Sequence, residues 1–600
     1  MNAPVRIDPV PETLPEWRLD DLYLSRTDPH IDADMAEAAR LNGELSALKG
    51  RFVGARGDAA ALGGLIDRGI HLYQSATDKL WAVGAYASLA VSTARDDPAA
   101  AKFESDIRAR ASQIAAESLF FTLELNELED AEIAAALAAH PAAAKWRPWL
   151  RRVRLSRPHE LSADLERMLV DRGPAVANWV RLYDETLGRM SIGAGRERLT
   201  LPEALNRLSD SEPGRRKSAA QGLAKALEAA TPTLGLCLNT VAFEKQIEDR
   251  WRKFATPAQS RHVANEVDAA AVDALEAAVV DSYPRLSHRY YRLKAQVMGR
   301  KVLDHWDRNA PLTTAQPRRY GWDEAKGMVL EAFAGLAPKF EATAETFFLN
   351  PWIDARPRPG KQSGAYAHPV TPAYHPFVFL NYMGERRDVL TLAHELGHAV
   401  HQTLASPQGS LLADTPLTLA ETASIFGEGL VFERLLGEAS KAERRDLLAG
   451  KIEDGINTVV RQIAFHRFET RFHATRAEGE VSADHIGQIW LEVMGESLGP
   501  AIRLNPGYES YWAYISHFVH APFYVYAYAF GNLLVEALME ARRQDPKGFV
   551  PLYEDLLAAG GARTYVEALA PFGHDPREKA FWAAGCARLE RLVDEFEALV

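Results

Sequence analysis

The sequence predicts a mainly α-helical protein with one small β-sheet beside one of its helices. Two observations support this fold class. Stretches rich in Ala, Leu, Glu and Arg fill most of the chain, and within them Ala and Leu recur every three or four residues. A single Pro-rich break, residues 350–376, cannot be helical, and an apolar segment of strand-like composition follows it.

The periodic stretches give the predicted helices in chain order. Ser162, Ser482 and Asp323 directly precede three of them and are the predicted N-caps. The Gly-rich segment 188–202 interrupts the helical composition and predicts a boundary between residues 1–195 and 196–600. The predicted helices lie at residues 30–140, 160–187, 202–250, 265–300, 322–345, 388–406, 416–475, 481–498, 524–544 and 576–600.

Composition and charge exclude several classes of protein. The 600 residues are 47% apolar and 25% charged, which is typical of a soluble globular protein. With 69 basic and 81 acidic residues the net charge is −12, so we expect no nucleic-acid partner. The sequence contains no run of 18 apolar residues, so we predict no membrane span. Two distant cysteines and an N-terminus without the apolar core of a secretory signal favour a cytoplasmic location.

The segment PFVFLNYM (376–383) is the strongest predicted strand. It combines branched and aromatic residues, and its proline stands at the first position, where a strand tolerates it. Gly384 is predicted to end the strand, and a helix is predicted to begin near Asp388. As an edge strand, this segment could pair with an extended peptide.

The following helix, DVLTLAHELGHAVHQTLA, contains the pattern HExxH. His394 and His398 are one turn apart on one helix face, so both can reach one metal ion. Glu395 is turned by about 100° from His394 and can reach a water on the open side of that ion. A solvated surface helix is the alternative, but the apolar flanks predict burial, where unpaired His and Glu would be costly.

A catalytic zinc ion needs a third protein ligand and one open position. A third histidine at position 404 is excluded, because this residue is Leu404. The downstream segment TPLTLAETASIFGEGLVFERLL offers Glu421 in the first turn of a helix, with Thr418 as its predicted cap. Glu428, seven residues later on the same face, is a candidate partner of a ligand histidine. The alternative is that Glu421 only complements the helix dipole.

A third group of polar residues lies between 517 and 528. Pro522 is predicted to start a helix that places Tyr524 and Tyr528 on one face. Tyr O–H and His N–H groups could hold the oxyanion of a tetrahedral intermediate. An aromatic core helix is the alternative. The candidates are His517, His520, Tyr524, Tyr526 and Tyr528.

Four segments together resemble the M3 family of zinc metallopeptidases, and within it the oligoendopeptidase F group. They are HELGHAVH (394–401), LAETASIFGE (419–428), HFVHAPFYVYAYAFG (517–531) and WRLDDLY (17–23). The resemblance runs from near the start of the chain to near its end. It implies two helical lobes around a deep substrate channel and a zincin-like catalytic core. Residues 1–195 are then the N-terminal lobe of the oligoendopeptidase F type, and residues 196–600 the catalytic domain.

The resemblance also implies roles for individual residues. One Zn²⁺ ion per chain is expected, held by the ligands His394, His398 and Glu421, with Glu395 as the base that activates water. Oxyanion donors are expected among His517, His520, Tyr524 and Tyr528. An oligopeptide substrate is expected to pair with the PFVFLNYM strand beneath the segment GKQSGAYAH, although that segment could be an ordinary connection. The predicted substrate-binding residues are therefore Gly364, Ala365, Tyr366, Phe379 and Asn381.

The predicted reaction is hydrolysis of internal peptide bonds in short unstructured oligopeptides. Two alternatives remain open at this point. A helical HExxH zinc carboxypeptidase would need a basic residue that holds the substrate C-terminus. A catalytically idle peptide-binding protein would have no use for a general base, so Glu395 favours an enzyme.

Overall fold

The computed structural model describes residues 14–312 and 318–600. The described chain is mainly α-helical, as the sequence predicts, and it has three small sheets where the sequence predicts one. Most of the N-terminal segment on which the expectation of no secretory signal rests lies outside the described residues. Among the described residues, no helix combines the length and the apolar character that crossing a bilayer requires.

The α-helices fall in three groups along the sequence. The first group is α1 (Pro29–Ser46), α2 (Arg51–Gly54), α3 (Ala59–Ser92), α4 (Pro98–Ala116), α5 (Leu119–Glu127), α6 (Asp130–Ala139), α7 (Arg147–Val153), α8 (Ala163–Gly188) and α9 (Leu201–Arg207). The second is α10 (Pro213–Trp251), α11 (Gln259–Ala264), α12 (Ala269–Ser282), α13 (Ser287–Val297), α14 (Trp322–Ala334), α15 (Pro338–Leu349), α16 (Arg386–Ala405), α17 (Ser410–Ala413) and α18 (Leu417–Ala420). The third is α19 (Thr422–Glu438), α20 (Lys441–Gly455), α21 (Arg461–Ala477), α22 (Ala483–Leu498), α23 (His517–His520), α24 (Tyr526–Gln544), α25 (Pro546–Ala559), α26 (Tyr565–Leu569) and α27 (Lys579–Glu597).

The strands are short and form three separate sheets. They are β1 (Ile192–Ala194), β2 (Glu197–Leu199), β3 (Leu303–Asp304), β4 (Ile353–Asp354), β5 (Tyr366–His368), β6 (Phe377–Phe379) and β7 (Ile502–Arg503). Strands β1 and β2 form an antiparallel hairpin, and β3 pairs with β7 in parallel. The three-stranded sheet has the order β4-β6-β5, with β4 parallel and β5 antiparallel to β6.

The chain divides into two compact units, each built from three separate stretches. Unit 1 comprises Met1–Arg157, Pro317–Leu435 and Pro546–Phe572. Unit 2 comprises Pro158–Gln316, Leu436–Asp545 and Gly573–Val600. The predicted division at residue 195 concerns domains of the sequence rather than compact units, and it stays a prediction. The β1–β2 hairpin occupies the predicted break at 188–202.

Unit 1 positions the helix that carries the HExxH pattern. Helix α16 contacts strands β5 and β6, and it also contacts α14, α15 and α25. Phe377 and Phe379 of β6 are fully buried, and their rings lie 5.8 and 5.5 Å from that of Trp17. This aromatic core fixes the sheet against which α16 packs.

Unit 2 buries a second set of aromatic residues. Helix α21 packs on α22, and α24 packs on α12 and α27. The Phe468 ring lies 4.7 Å from that of Phe518 and 5.6 Å from that of Trp490. Phe518 belongs to α23, so this core holds the segment with the predicted oxyanion donors in place.

Several predicted boundaries differ from the structure. Ser162 and Ser482 are N-caps as predicted, but α14 begins at Trp322, so Asp323 lies in its first turn rather than at its cap. The prediction of a helix from Pro522 is also wrong, because α24 begins at Tyr526. The reason is the left-handed backbone of Phe523, with φ of 60°, which no helix can include.

Candidate metal centre

Helix α16 places the two histidines of the HExxH pattern side by side. Their rings are 5.0 Å apart, as expected for residues one turn apart on one face. A capping box fixes the start of the helix, since the Glu385 N–H donates to the Asp388 carboxylate at 2.9 Å. His394 and His398 are therefore held by a regular, capped and largely buried helix.

Glu421 completes a three-residue donor set. One of its carboxylate oxygens, Oε2, lies 3.4 Å from Nε2 of His394 and 3.4 Å from Nε2 of His398. Ligands at the usual 2.0–2.2 Å from a tetrahedral zinc ion are about 3.3–3.5 Å apart, so this spacing fits such an ion. The side chains stay 27%, 18% and 38% exposed, which leaves an open position for water or substrate.

The candidate ligand Glu421 lies at a break between two helices. It follows α18 and directly precedes α19, whereas the sequence predicts a single helix capped by Thr418. Ser424 donates from Oγ to Oε2 of Glu421 at 2.7 Å and so orients the carboxylate. Burial acts to raise the pKa of Glu421, but hydrogen bonding and charge from His398, together with His394 and Ser424, lower it to about 2.

At Gly397, the backbone of helix α16 lies directly against the backbone at the start of α19. A side-chain carbon added at Gly397 would lie 2.4 Å from the carbonyl oxygen of Ala423 and 2.7 Å from Cα of Ser424. Only glycine therefore allows Glu421 to come as close to the histidines as it does.

Glu395 points from α16 toward the edge of the three-stranded sheet. Its side chain is buried, and the backbone N–H of Ala367 in β5 donates to its carboxylate. Burial raises the pKa of Glu395, while the charges of His394 and His398 act in the opposite direction. A carboxylate with a raised pKa beside the metal ligands suits a general base.

Glu428 lies beside the candidate ligand His394. The Glu428 Oε2 atom lies 3.7 Å from Nδ1 of His394, the ring nitrogen that faces away from Glu421. Burial acts to lower the pKa of His394, but the nearby carboxylates of Glu428, Glu395 and Glu421 outweigh it and raise that pKa. This geometry supports the predicted role of Glu428 as an outer partner that sets the orientation of the histidine ring.

His401 supports the segment that leads to Glu421. It is buried, its Nε2 lies 3.4 Å from Oγ1 of Thr415, and it also hydrogen-bonds to the backbone of Ala420. Burial lowers the pKa of His401 to about 4, so the ring is neutral at physiological pH. Its spacing, one turn after His398, was the only sequence signal for this role.

The three-stranded sheet differs from the prediction. The segment PFVFLNYM is not an edge strand, because β6 pairs with β4 on one side and with β5 on the other. The edge beside α16 is β5, where Gln402 donates to the carbonyl of Ala367 at 3.4 Å and the N–H of Ala367 reaches Glu395. Ala367 lies in the predicted segment GKQSGAYAH, but no pattern in the sequence indicates a role for Ala367 itself or for Gln402.

The predicted substrate-binding residues lie in or beside this sheet. The Asn381 amide donates to the carbonyls of Gln362 and Gly364, at 2.9 and 3.1 Å, and so holds the Gly-rich segment. The Phe379 ring is fully buried and stacks on that of Tyr366 at 4.9 Å. A role in substrate binding for Gly364, Ala365, Tyr366, Phe379 and Asn381 stays a prediction.

The predicted oxyanion donors belong to unit 2. Nε2 of His517 lies 3.1 Å from the hydroxyl of Tyr528, and the Tyr524 ring lies 5.4 Å from that of Tyr528. His520 is engaged elsewhere, since its Nε2 lies 2.7 Å from Oδ1 of Asp184. Within this segment, His517, Tyr524 and Tyr528 thus form one cluster and His520 another.

The fold and the HExxH pattern together define a metallopeptidase of the HExxH class, and Glu421, between α18 and α19, is the candidate third ligand. Among the described residues, His394, His398 and Glu421 are the group of side chains that could hold a metal ion.

Comparison with known proteins identifies the family. The sequence profile described as peptidase family M3 matches residues 338–588, and that described as oligopeptidase F matches residues 124–191. Oligopeptidase PepF of Bacillus subtilis is 23% identical over 97% of this chain and 87% of that protein. Group B oligopeptidase PepB of Streptococcus agalactiae is 26% identical over 80% of this chain and 81% of that protein.

A solved structure shows the same fold. The crystal structure of oligoendopeptidase-F from Enterococcus faecium matches with a TM-score of 0.68 and 20% identity, over 95% of this chain and 99% of that chain. The chain belongs to peptidase family M3, within its oligoendopeptidase F group.

Proposed function

We propose that this protein is a zinc-dependent endopeptidase that hydrolyses internal peptide bonds of short unstructured oligopeptides. The observation that carries the proposal is the convergence of His394, His398 and Glu421 beside the buried carboxylate of Glu395. The names of its relatives, which are oligopeptidases and oligoendopeptidases, support the substrate class.

The chain's own residues supply the positioning and the proton transfers. His394 and His398 would hold the ion through Nε2, and Glu421 through Oε2. Lewis-acid activation of water and of the scissile carbonyl is the chemistry that a bound zinc ion supplies. A carboxylate oxygen of Glu395 accepts the proton of the attacking water and then delivers it to the leaving nitrogen.

The assignment of the oxyanion donors to residues 517–528 stays a prediction. Within this segment, the structure favours His517 and Tyr528, whose donor atoms lie together, over His520, which is occupied by Asp184. Preorganised donors of this kind are typically worth about 10²–10³ in kcat each.

Two nitrogen ligands and one oxygen ligand suit zinc, and one ion per chain is our proposal. Cobalt or manganese can occupy such a site, since selectivity depends on geometry and on metal supply. A cytoplasmic location is likewise a proposal. It rests on the two cysteines, Cys237 and Cys586, which are free and buried.

The test uses an internally quenched peptide that is blocked at both ends. We expect the zinc-loaded protein to cut it at an internal bond, a chelator to abolish cutting, and added Zn²⁺ to restore it. A carboxypeptidase needs a free C-terminus, and an idle binding protein cuts nothing, so neither releases fluorescence. Full activity in protein shown by elemental analysis to be free of metal would contradict the metallopeptidase mechanism.

A further inference from the structure

Helix α21 buries three titratable residues that the proposed mechanism does not use. His466, Glu469 and His473 lie three, four and seven residues apart and therefore share one helix face. This face packs against the turn of residues 521–525, which joins α23 to α24. The turn lies between His517 and Tyr528 in sequence, and Tyr524 is part of it.

Phe523 has an unusual backbone conformation at the centre of this turn. Its φ is 60°, although it is not glycine, and its side chain is only 1% exposed. A bulky residue in the left-handed region is a genuine outlier that persists only where the surroundings determine it. Such strain commonly occurs where a functional side chain must point in a fixed direction.

Glu469 hydrogen-bonds to the backbone of this residue. Its Oε1 accepts a hydrogen bond of 2.7 Å from the N–H of Phe523, and both residues are 1% exposed. The Phe523 ring lies 4.9 Å from the ring of His473 and 5.8 Å from that of His466. The side chain and the backbone N–H of Phe523 are thus both held by α21.

Tyr526, three residues after Phe523, is held by a separate set of buried contacts. The hydroxyl of Tyr526 lies 3.0 Å from Nδ1 of His262 and accepts a hydrogen bond of 3.0 Å from Asn265. Between these two anchors the chain turns, so Tyr524 and Tyr528 emerge on the side where His517 lies.

We propose that Glu469 is a positioning residue for the oxyanion donors: its buried carboxyl holds Phe523 in the left-handed conformation that directs Tyr524 and the His517–Tyr528 pair. The inference rests on the proposed function, because it assumes that this cluster serves catalysis. It assigns no contact with substrate to Glu469 itself.

The chemistry of Glu469 suggests the matched variants. Burial raises the pKa of Glu469 to about 8, so at neutral pH the carboxyl is largely uncharged and glutamine is a close mimic. Glu469→Gln keeps an acceptor for the Phe523 N–H, and Glu469→Met keeps the volume without one. Glu536→Met is the control: it also removes a buried acid of unit 2, but one whose partner is Arg588.

The experiment measures kcat and KM of each zinc-loaded variant on the doubly blocked peptide, normalised to metal content. We expect Glu469→Met to lower kcat about 10–100-fold with little change in KM, because misplaced donors weaken only transition-state interactions. Glu469→Gln should keep kcat within about threefold of wild type, a range too small for a lost donor. Glu536→Met should lower thermal stability but not kcat.

A second readout separates positioning from loss of structure. A phosphinic peptide, which mimics the tetrahedral transition state, should bind Glu469→Met more weakly, whereas a product peptide should bind unchanged. Should Glu469→Met not fold, Glu469→Asp tests the same point, because it keeps the carboxyl and shortens its reach. Wild-type kcat in both Glu469→Met and Glu469→Asp would overturn the inference. Equal losses of kcat in Glu469→Gln and Glu469→Met would also overturn it. If the wild-type protein does not cut the peptide, the proposed function itself fails.

Discussion

The metal-binding helix α16 and the donor segment 517–528 fix their polar side chains by opposite means. In α16 the backbone is regular, and the four-residue spacing of His394 and His398 alone brings their rings together. In the donor segment a left-handed residue and buried anchors set the directions of the side chains. Residue spacing therefore predicts the relative positions of side chains only where the backbone is regular.

The largest expected effect concerns the regular helix α16. Glu395→Gln should lower kcat about 10²–10⁴-fold, because an amide cannot accept the proton of the attacking water. Metal content and thermal stability should stay near wild type, since the amide keeps the shape of the side chain. Glu385→Gln, at the N-cap of the same helix, is the control and should keep its turnover. Near wild-type turnover in Glu395→Gln would exclude Glu395 as the base.

The next effect tests how closely the two ligand-bearing helices must approach. Gly397→Ala should destabilise the protein by about 1–3 kcal/mol and lower its zinc affinity, because the new methyl group would overlap Ala423 and Ser424. Gly437→Ala in α19 is the control, since a side-chain carbon there meets open space. It should be neutral or stabilising by up to about 1 kcal/mol. Thermal unfolding and metal titration check both, and equal behaviour of the two variants would refute the steric argument.

A smaller effect concerns the outer support of a ligand. Glu428→Gln removes the charge beside Nδ1 of His394 and should weaken zinc binding about 10–100-fold. The control is Glu438→Gln, at the end of the same helix, which should bind zinc as the wild type does. Competition with a chromogenic chelator gives both affinities. An unchanged affinity in Glu428→Gln would mean that Glu428 only carries surface charge.

The smallest expected effect is the loss of stability of the donor segment 517–528 as the pH falls. Burial lowers the pKa of His262 to about 4 and that of His466 and His473 to about 3, against about 6.5 in the unfolded chain. Each therefore stabilises the anchors above pH 6.5, and this contribution is lost as the pH falls toward 3–4. Glu469, with its raised pKa, acts in the opposite direction.

The net loss should be on the order of 1–2 kcal/mol between pH 6.5 and 5.5. Hydrogen exchange of the zinc-loaded protein, corrected for the intrinsic pH dependence, measures it. Protection of residues 521–528 should fall more than protection of α16, which has two such histidines near it, His401 of its own and His368 of the adjoining strand β5. An equal loss in both segments would contradict the proposed difference between them.

The sequence was informative wherever a pattern acts within one element. The spacing within α16, the position of Glu428 beside His394 and the non-helical segment 350–376 follow from local rules, and the structure agrees with each. The sequence also predicts that Glu421 lies near the histidines, but not the break between α18 and α19 at which it stands. The middle position of β6 could not be found in this way. It depends on β4 and β5, strands of two and three residues whose pairing is set by tertiary packing.

The donor segment shows the same limit at the level of single residues. Pro522 favours a helix start, but Phe523, which contacts Glu469, His466 and His473 of α21, has a left-handed backbone instead. The residues are 54 apart in sequence, and a positive φ at phenylalanine leaves no compositional trace. For the same reason, the separate environments of His517 and His520 could not be distinguished.

The meeting of α16 and α19 at the bare backbone of Gly397 has a practical consequence. A metal ion held by His394 and His398 of α16 and by Glu421, which directly precedes α19, would add a removable link between these two segments. Folding and metal loading are then thermodynamically linked, and a free ion at 100 times its dissociation constant adds about 2.7 kcal/mol to stability. The melting temperature therefore reports the fraction of protein that holds the metal ion. Compounds that remove the ion can be ranked by the fall in melting temperature, without any substrate.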